Sequence, residues 1–264
     1  MLIINADDWG RSAAETNAAL RCYQEGRITS VSAMVFMEDS ERAVEFSKDN
    51  SLDVGLHLNF SEEFTGGQCP GKLRDYHVRI VRFLKRTKYS QLFYNPFLRN
   101  EFAYSYEAQA SEFVRLFERP PSHIDGHHHM HLCGNLLLSA VIPAGTKIRR
   151  NFSFWRGEKS WLNRAYRALV DRWLARRYQL ADYFFDLSQS IREKKMDRIM
   201  ALAKSSKVEL MTHPIVRTEF EYLLGDEFQS MLDRLEGQTS DVRGHRSAAY
   251  VKSTACQGEP KTDN

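Results

Sequence analysis

The chain has 264 residues, 42% of them hydrophobic, and a formal net charge of +3. This length and composition are typical of one globular domain and exclude a fibrous or wholly disordered protein. The small net charge gives no reason to expect nucleic acid as a partner. Short apolar runs, the absence of a basic leader and four widely spaced cysteines (22, 69, 133 and 256) predict a cytoplasmic protein with reduced thiols.

Apolar and amphipathic segments alternate along the first part of the chain, as in βα units around a mainly parallel sheet. The predicted elements are strands over 2–6, 31–36 and 54–58, and helices over 12–23 and 39–48. Ser12 and Glu15 have the spacing of a capping box, and Gly26 stands where a left-handed helix terminator belongs.

The alternation stops at residues 60–100, which are rich in Gly, Pro, aromatic and basic residues. A long irregular insertion in a compact domain is usually functional, so we interpret this segment as a functional loop region that could form a lid. A helix is predicted through 106–117, ended by Pro120 and Pro121, and a short strand over 123–125.

The second half predicts helices over 161–173, 191–203 and 220–235 and a strand over 208–211. We therefore expect one α/β domain over 1–236 and a flexible polar tail over 237–264. Internal repeats are not evident.

Acidic and imidazole side chains follow four predicted strands. They are Asp7 and Asp8, His57, the cluster of 123–131, and His213. Sites in α/β proteins gather at the carboxyl ends of strands, so this convergence predicts an active site. By contrast His77 and His245 lie in polar segments and are interpreted as surface residues.

Five of the nine histidines (His123, His127, His128, His129 and His131) lie within nine positions. Packing alone explains such a cluster poorly, and imidazole is a common ligand of divalent metals, so we expect at least one to bind a metal. Spacing does not identify which. Asp7 and Asp8 repel one another unless a cation compensates them, although a helix N-cap is the ordinary explanation for Asp8.

Four motifs, taken together, resemble the YdjC-like (ChbG/HpnK) family of carbohydrate deacetylases. They are Asn5–Gly10, Gly55–Asn59, Pro121–His131 and Met211–Pro214. The resemblance runs from residue 2 to about residue 232. It implies a distorted (β/α) barrel similar to a TIM barrel, and family precedent implies a homodimer by analogy.

The resemblance also implies roles for single residues. Asp8, His57 and His127 match metal ligands, Asp7 matches the catalytic base and His213 the general acid. The expected reaction removes the acetyl group from an N-acetylated sugar, free or lipid-linked. Mg²⁺ is the first candidate and Zn²⁺ the alternative, because mixed nitrogen and oxygen ligands suit zinc.

Three positions leave alternatives open. Arg149 is interpreted as a substrate or oxyanion ligand or, equally, as a solvated surface residue. Trp9 stands where the family more often has phenylalanine, which should alter only the packing beside the metal. Ile215 stands where many relatives have glycine, so the loop after His213 and the substrate fit there are expected to differ.

Residues 147–177 contain ten Lys and Arg against Glu158 and Asp171. A solvated helix face is the ordinary interpretation, and peripheral contact with an anionic membrane or glycolipid is the alternative.

Other functions use similar residues. A metallophosphoesterase usually has two metals and more bridging carboxylates, and a glycosidase needs two carboxyls facing across a sugar. A non-catalytic metal- or sugar-binding protein needs ligands but not the extra carboxylate of Asp7.

Overall fold

A computed structural model of the chain describes residues 1–49, 52–235 and 237. The strands are β1 (Leu2–Trp9), β2 (Ser30–Ala33), β3 (Asp53–Leu58), β4 (Ile124–Gly126), β5 (Tyr183–Asp186) and β6 (Val208–Thr212). The helices are α1 (Ala13–Gln24), α2 (Ser40–Asp49), α3 (Gly71–Leu84), α4 (Arg99–Phe117), α5 (Gly134–Ser139), α6 (Trp161–Leu174), α7 (Leu187–Arg192), α8 (Met196–Ala203), α9 (Arg217–Leu224) and α10 (226–235). Within these ranges, no helix has the length and apolar composition needed to cross a bilayer.

The six strands of the described residues form one parallel sheet in the order β4-β3-β2-β1-β6-β5. Between the edge strands runs the segment 146–149, which forms one parallel bridge to β4 (Ile124 with Ile148) and one to the residues before β5 (Lys147 with Gln179). The expected single α/β domain is confirmed. The expected TIM-like barrel is not confirmed, because the six-stranded sheet is open between its edge strands, β4 and β5. Only the two isolated bridges of segment 146–149 link β4 with the residues before β5, so that strands and segment together form a ring.

The inside of this ring is polar. Asn5 donates to Ser32 Oγ at 2.8 Å and accepts from Ser30 Oγ at 2.8 Å. Ser32 Oγ in turn donates to Asp125 Oδ2 at 2.8 Å. These residues are all buried, so each must find its hydrogen-bond partner within the protein. A polar interior of this kind connects β1, β2 and β4 directly beneath the ends of the strands.

Helix α1 begins and ends close to the predicted boundaries. Ser12 accepts a hydrogen bond from Ala14 N–H at 3.3 Å and also contacts the carboxylate of Glu15. Gly26 has φ of 68°, the left-handed conformation that the sequence predicted for a helix terminator.

The prediction of an irregular segment over 60–100 is wrong for its centre. Helix α3 occupies Gly71–Leu84 and buries Leu73, His77 and Ile80 on one face. His77 is therefore buried, and its prediction as a surface residue is wrong. Its Nε2 lies 2.7 Å from the carbonyl oxygen of Glu62. Basic residues between the apolar positions of α3 conceal its period.

Three further boundaries differ from the prediction. Strand β5 (Tyr183–Asp186) was not predicted. The helix predicted over 191–203 is interrupted at Lys194, which has φ of 52°, and the helix predicted over 220–235 is interrupted at Gly225. His245, Cys256 and almost all of the predicted tail lie outside the described residues, whereas Cys22, Cys69 and Cys133 are free and buried.

Gly55 on β3 is packed against the imidazole of His123. A Cβ atom at this position would lie 2.3 Å from His123 Nε2, and the ring is held by Ser32 Oγ at 3.0 Å and Ser122 Oγ at 2.9 Å. We predict that Gly55→Ala lowers the free energy of unfolding by about 1–3 kcal/mol, measured by urea denaturation, because overpacking displaces a fixed ring.

Gly67 provides the matched control, because a Cβ there meets nothing within 4 Å. Gly67→Ala should change stability by less than about 0.5 kcal/mol. In a His123→Ala background the cost of Gly55→Ala should shrink. An undiminished cost would show that His123 is not its cause.

Candidate functional site

Both aspartates of β1 reach the same imidazole, although adjacent residues of a regular strand point to opposite faces. The register between β1 and β2 shifts between Ala6 and Trp9, and Asp8 has φ of 66°. This bulge turns the backbone so that His57 Nε2 lies 3.3 Å from Asp8 Oδ1 and 3.9 Å from Asp7 Oδ2. The strand thereby places two carboxylates beside one ring.

His57 is held from its other side. Its Nδ1 donates to Asp125 Oδ1 at 2.7 Å, so Nε2 is the nitrogen directed at Asp7 and Asp8. Burial alone would lower the pKa of His57, but the charges of Asp125 and Asp7 and the hydrogen bonds raise it to about 10. A carboxylate behind an imidazole is the usual support of a metal-binding histidine. The sequence analysis assigned no such role to Asp125.

His127 completes the group. It directly follows β4, and its Nδ1 lies 2.9 Å from Asp8 Oδ1. Although burial opposes it, the hydrogen bonds and charges of His127 and His57 hold the pKa of Asp8 well below its ordinary range. Asp8 is therefore ionised at every physiological pH.

The group Asp8, His57 and His127 could hold a metal ion. One ligand atom from each side chain lies within 4.8 Å of the other two, and all three residues are buried. Ligand atoms at about 2.0–2.2 Å from one divalent ion lie roughly 3 Å apart, and the Asp8–His127 and Asp8–His57 separations of 2.9 and 3.3 Å match that spacing. The donor set therefore suits a divalent cation.

Glu62 is a further acid at this group that the sequence analysis missed. Its Oε2 lies 3.0 Å from His127 Nε2, and Arg11 donates to both of its oxygens, at 2.9 and 2.6 Å. The sequence feature that could have revealed Glu62 is its position four residues after β3, but no spacing rule distinguishes it from Glu63. Arg11 and Glu62 form the partly exposed side of the site.

The other clustered histidines have separate partners. His128 Nδ1 lies 3.0 Å from Ser61 Oγ, and His131 Nε2 donates to the carbonyl of Arg149 at 3.0 Å. His129 packs edge-on against Phe152, with ring centroids 4.6 Å apart. Burial lowers the pKa of His131 to about 4 and that of His129 to about 3. These rings stay neutral and shape the turn that carries His127.

Arg149 is not a solvated surface residue, because it is buried and paired with carboxylates. Its side chain is 1% exposed, and its guanidinium contacts Asp7 at 2.7 Å, Asp125 at 2.5 Å and Glu209 at 2.6 Å. Burial would raise the pKa of Asp7, but the charge of Arg149 holds it below its ordinary range. Arg149 therefore fixes the carboxylates behind the metal-binding group instead of facing the open side.

His213 directly follows β6, the strand next to β1. Ala6 pairs with Thr212, so His213 follows β6 at the level of Asp7. Its backbone N–H donates to Glu219 Oε2 at 2.6 Å, and Thr212 Oγ1 donates to the same oxygen at 2.7 Å. With Asp186 and Glu219 it forms a second acid–imidazole group. The half-buried ring is thus placed at the same end of the sheet as Asp7 and Asp8.

Comparison with known proteins gives consistent results. A profile of the YdjC-like protein family matches residues 1–234. The chitooligosaccharide deacetylase of Proteus mirabilis (strain HI4320) is 28% identical over 228 residues, which cover 81% of each chain. The chitooligosaccharide deacetylase of Serratia marcescens is 32% identical over 134 residues, 50% of this chain and 51% of that protein.

A solved structure shares the fold. The crystal structure of an Enterococcus faecalis V583 protein, described as a candidate for cellobiose-phosphate cleavage, superposes with a TM-score of 0.61 at 19% identity. The superposition covers 89% of this chain and 94% of the other. At this identity the likeness concerns the arrangement of the chain alone.

Metal binding provides a direct test of the group. We predict that Asp8→Asn abolishes binding of Zn²⁺ and Mg²⁺, and that Asp125→Asn weakens it about 10–100-fold because His57 loses its orienting partner. Isothermal titration of the chelated protein measures both affinities. Asp39→Asn is the control, since Asp39 is buried and paired with Arg42. Unchanged affinity in Asp8→Asn would contradict this assignment.

Arg149 should be a major determinant of stability. We predict that Arg149→Met lowers the free energy of unfolding by about 3–5 kcal/mol, because three buried carboxylates lose their shared counter-charge. Arg115→Met removes an exposed pair with Glu112 and should cost no more than about 1 kcal/mol. Urea denaturation compares the two, and Arg149→Lys provides an intermediate if Arg149→Met fails to fold. Equal costs for the two methionine variants would refute the structural role of Arg149.

Proposed function

Since the chain belongs to the YdjC-like protein family, we propose that it is a metal-dependent hydrolase that removes the acetyl group from an N-acetylated sugar. The observation that carries this proposal is the buried group of Asp8, His57 and His127 with a further carboxylate, Asp7, beside it. Three protein ligands leave coordination positions open, as catalytic metal sites do and structural sites do not.

Asp8, His57 and His127 are the proposed ligands. A divalent ion held there would polarise the acetamide carbonyl and lower the pKa of water. Mg²⁺ is the first candidate by analogy with the family, and Zn²⁺ is the alternative that the two imidazole donors favour. The Nδ1–H of His57 stays bonded to Asp125 in either case, so Nε2 is the ligand atom.

Asp7 is the proposed base. Water attacks the acetyl carbon with its oxygen, and Asp7 accepts the proton that this water loses. Arg149 and Asn5 occupy part of the carboxylate, with Asn5 Nδ2 at 2.8 Å and both terminal guanidinium nitrogens at 2.7 Å. These bonds fix the direction of the carboxylate and keep it ionised, while an ionised carboxylate retains further acceptor positions for water.

His213 is the proposed acid. The C–N bond breaks with its electron pair going to nitrogen, and His213 donates the proton that makes the amine leave. The products are acetate and the free amino sugar, so one water is consumed. Glu219 supports this role by fixing the backbone of His213 and the hydroxyl of Thr212 through one carboxylate oxygen. Arg149 has no place in substrate binding in this scheme.

An N-acetylated sugar is the proposed substrate class because the relatives of known name are chitooligosaccharide deacetylases. The residues after β3 form one side of the site through Glu62, so we propose 60–70 as a wall of the sugar-binding region in place of a lid over all of 60–100. The glycosidase alternative is weaker, because Asp7 and Asp8 converge on one ring instead of facing each other across a sugar.

Acetate release tests the proposal. Chelated protein, and protein resupplied with Mg²⁺ or Zn²⁺, is incubated with N-acetylglucosamine oligomers and a lipid-linked analogue. We predict that acetate appears only with metal. Asp7→Asn should retain metal, because Asp7 is not a proposed ligand, and lose turnover, because the proposed proton acceptor is removed. A non-catalytic binding protein would instead give no acetate from any substrate while binding metal tightly.

His213→Asn in the same assay separates the acid from the ligands. It should retain the metal and lower kcat by about 10²–10⁴-fold, with a smaller change in KM. A loss of metal in this variant would place His213 among the ligands and overturn its role as the acid.

A further inference from the structure

Helix α6 is oriented with its apolar side toward solvent. Leu162, Tyr166, Leu169 and Trp173 follow one another at i, i+4, i+7 and i+11, which aligns them along one face. Leu162 is 62% exposed and Leu169 is 67% exposed. The residues that α6 buries are Asp171 and Leu174, so an apolar stripe that would normally face the core is left open.

The stripe continues onto neighbouring segments. Leu92 and Leu138 join Leu169 and Trp173 around a groove of about 350 Å³. Nearby in the chain, Phe97 is 90% exposed five residues after Leu92, and Trp161 is 73% exposed directly before Leu162. We call the surface formed by Leu92, Leu138, Leu162, Leu169 and Trp173 the apolar face. Contiguous exposed surfaces of this kind mark interaction sites, and nothing in the described part of the chain covers this one.

Two arginines lie beside the apolar face. Arg172 and Arg176 line the groove itself, and Lys88 is exposed three residues before Gln91. The segments 76–100 and 126–157 contain no acidic residue. The one acid of α6, Asp171, is buried and accepts from Arg150 at 2.7 Å. The partner of this surface must therefore combine apolar material with negative charge.

We propose that the apolar face docks the protein on an anionic lipid bilayer. Its leucine and aromatic side chains enter the boundary between headgroups and acyl chains, while Arg172, Arg176 and Lys88 contact headgroup phosphates. A second copy of the chain fits less well, because a two-fold interface would bring the arginines of both copies together with no acid to compensate them. This inference does not depend on the deacetylase reaction.

Vesicle sedimentation of the full chain tests the proposal. We expect binding to vesicles containing about 30% phosphatidylserine in phosphatidylcholine, weak binding to phosphatidylcholine alone, and loss of binding at high salt. The double variant Leu162→Ser with Leu169→Ser should lower the partition coefficient about tenfold or more, because apolar area that enters the bilayer is lost. The double variant Arg172→Gln with Arg176→Gln should lower it by a similar factor, since each basic residue contributes about fivefold. Near-ultraviolet circular dichroism confirms that each variant is folded.

Matched controls carry the same changes elsewhere. Val114→Ser alters an exposed apolar residue of α4, and Arg21→Gln with Arg115→Gln removes two exposed charges; all should bind vesicles as the parent does. Equal loss in controls and face variants, or no binding by the parent at low salt, would refute the proposal. A second outcome would also refute it: the parent is a dimer in sedimentation equilibrium, Leu162→Ser with Leu169→Ser converts it to a monomer, and neither protein binds vesicles.

Trp161 reports on the free protein. Acrylamide should quench the part of the fluorescence that Trp161→Phe removes, and vesicles should shield that part. If acrylamide fails to reach Trp161 without vesicles, another part of the chain already covers the surface and the docking proposal is wrong.

Discussion

The structure depends on a buried network of opposite charges inside the ring of strands. Arg149 contacts three carboxylates from three separate strands, Asp7 of β1, Asp125 of β4 and Glu209 of β6. Burying an unpaired charge is costly, so each of these groups depends on the others. Burial raises the pKa of Glu209, and the charge of Arg149 opposes that shift. The bridging segment that carries Arg149 is thus held in the ring by charge as much as by its two bridges.

The same network constrains what the site can hold. Asp7, Asp8, Asp125 and Glu209 are four buried carboxyl groups, and Arg149 is the guanidinium paired with three of them. A divalent cation between neutral His57 and His127 would offset part of this excess of acid. Without it the raised pKa of His57 supplies a proton instead, so proton and metal compete for the same nitrogen. The excess of carboxyl groups over guanidinium is therefore consistent with a site that could hold a cation.

The sequence predicted the end of the sheet at which the site lies, because acids and histidines followed strands with clear apolar patterns. It also predicted that at least one clustered histidine would contribute. It did not predict the bulge at Asp8, since a left-handed aspartate depends on contacts made by the folded chain. Arg149, Asp125 and Glu62 were missed in their roles for a related reason. A charged residue is expected to be exposed unless its partners are known, and Arg149 lies 142 residues from Asp7 in the chain.

The sequence did not indicate that the apolar side of α6 faces solvent. Amphipathic spacing predicts a helix but not which side faces the core, and convention assigns the apolar side inward. Here Asp171 reverses that assignment, because it binds Arg150 and the backbone N–H of Asn151 at 3.0 Å. Those two residues directly follow Arg149. Helix α6 is therefore anchored through its polar side to the segment that supports the site.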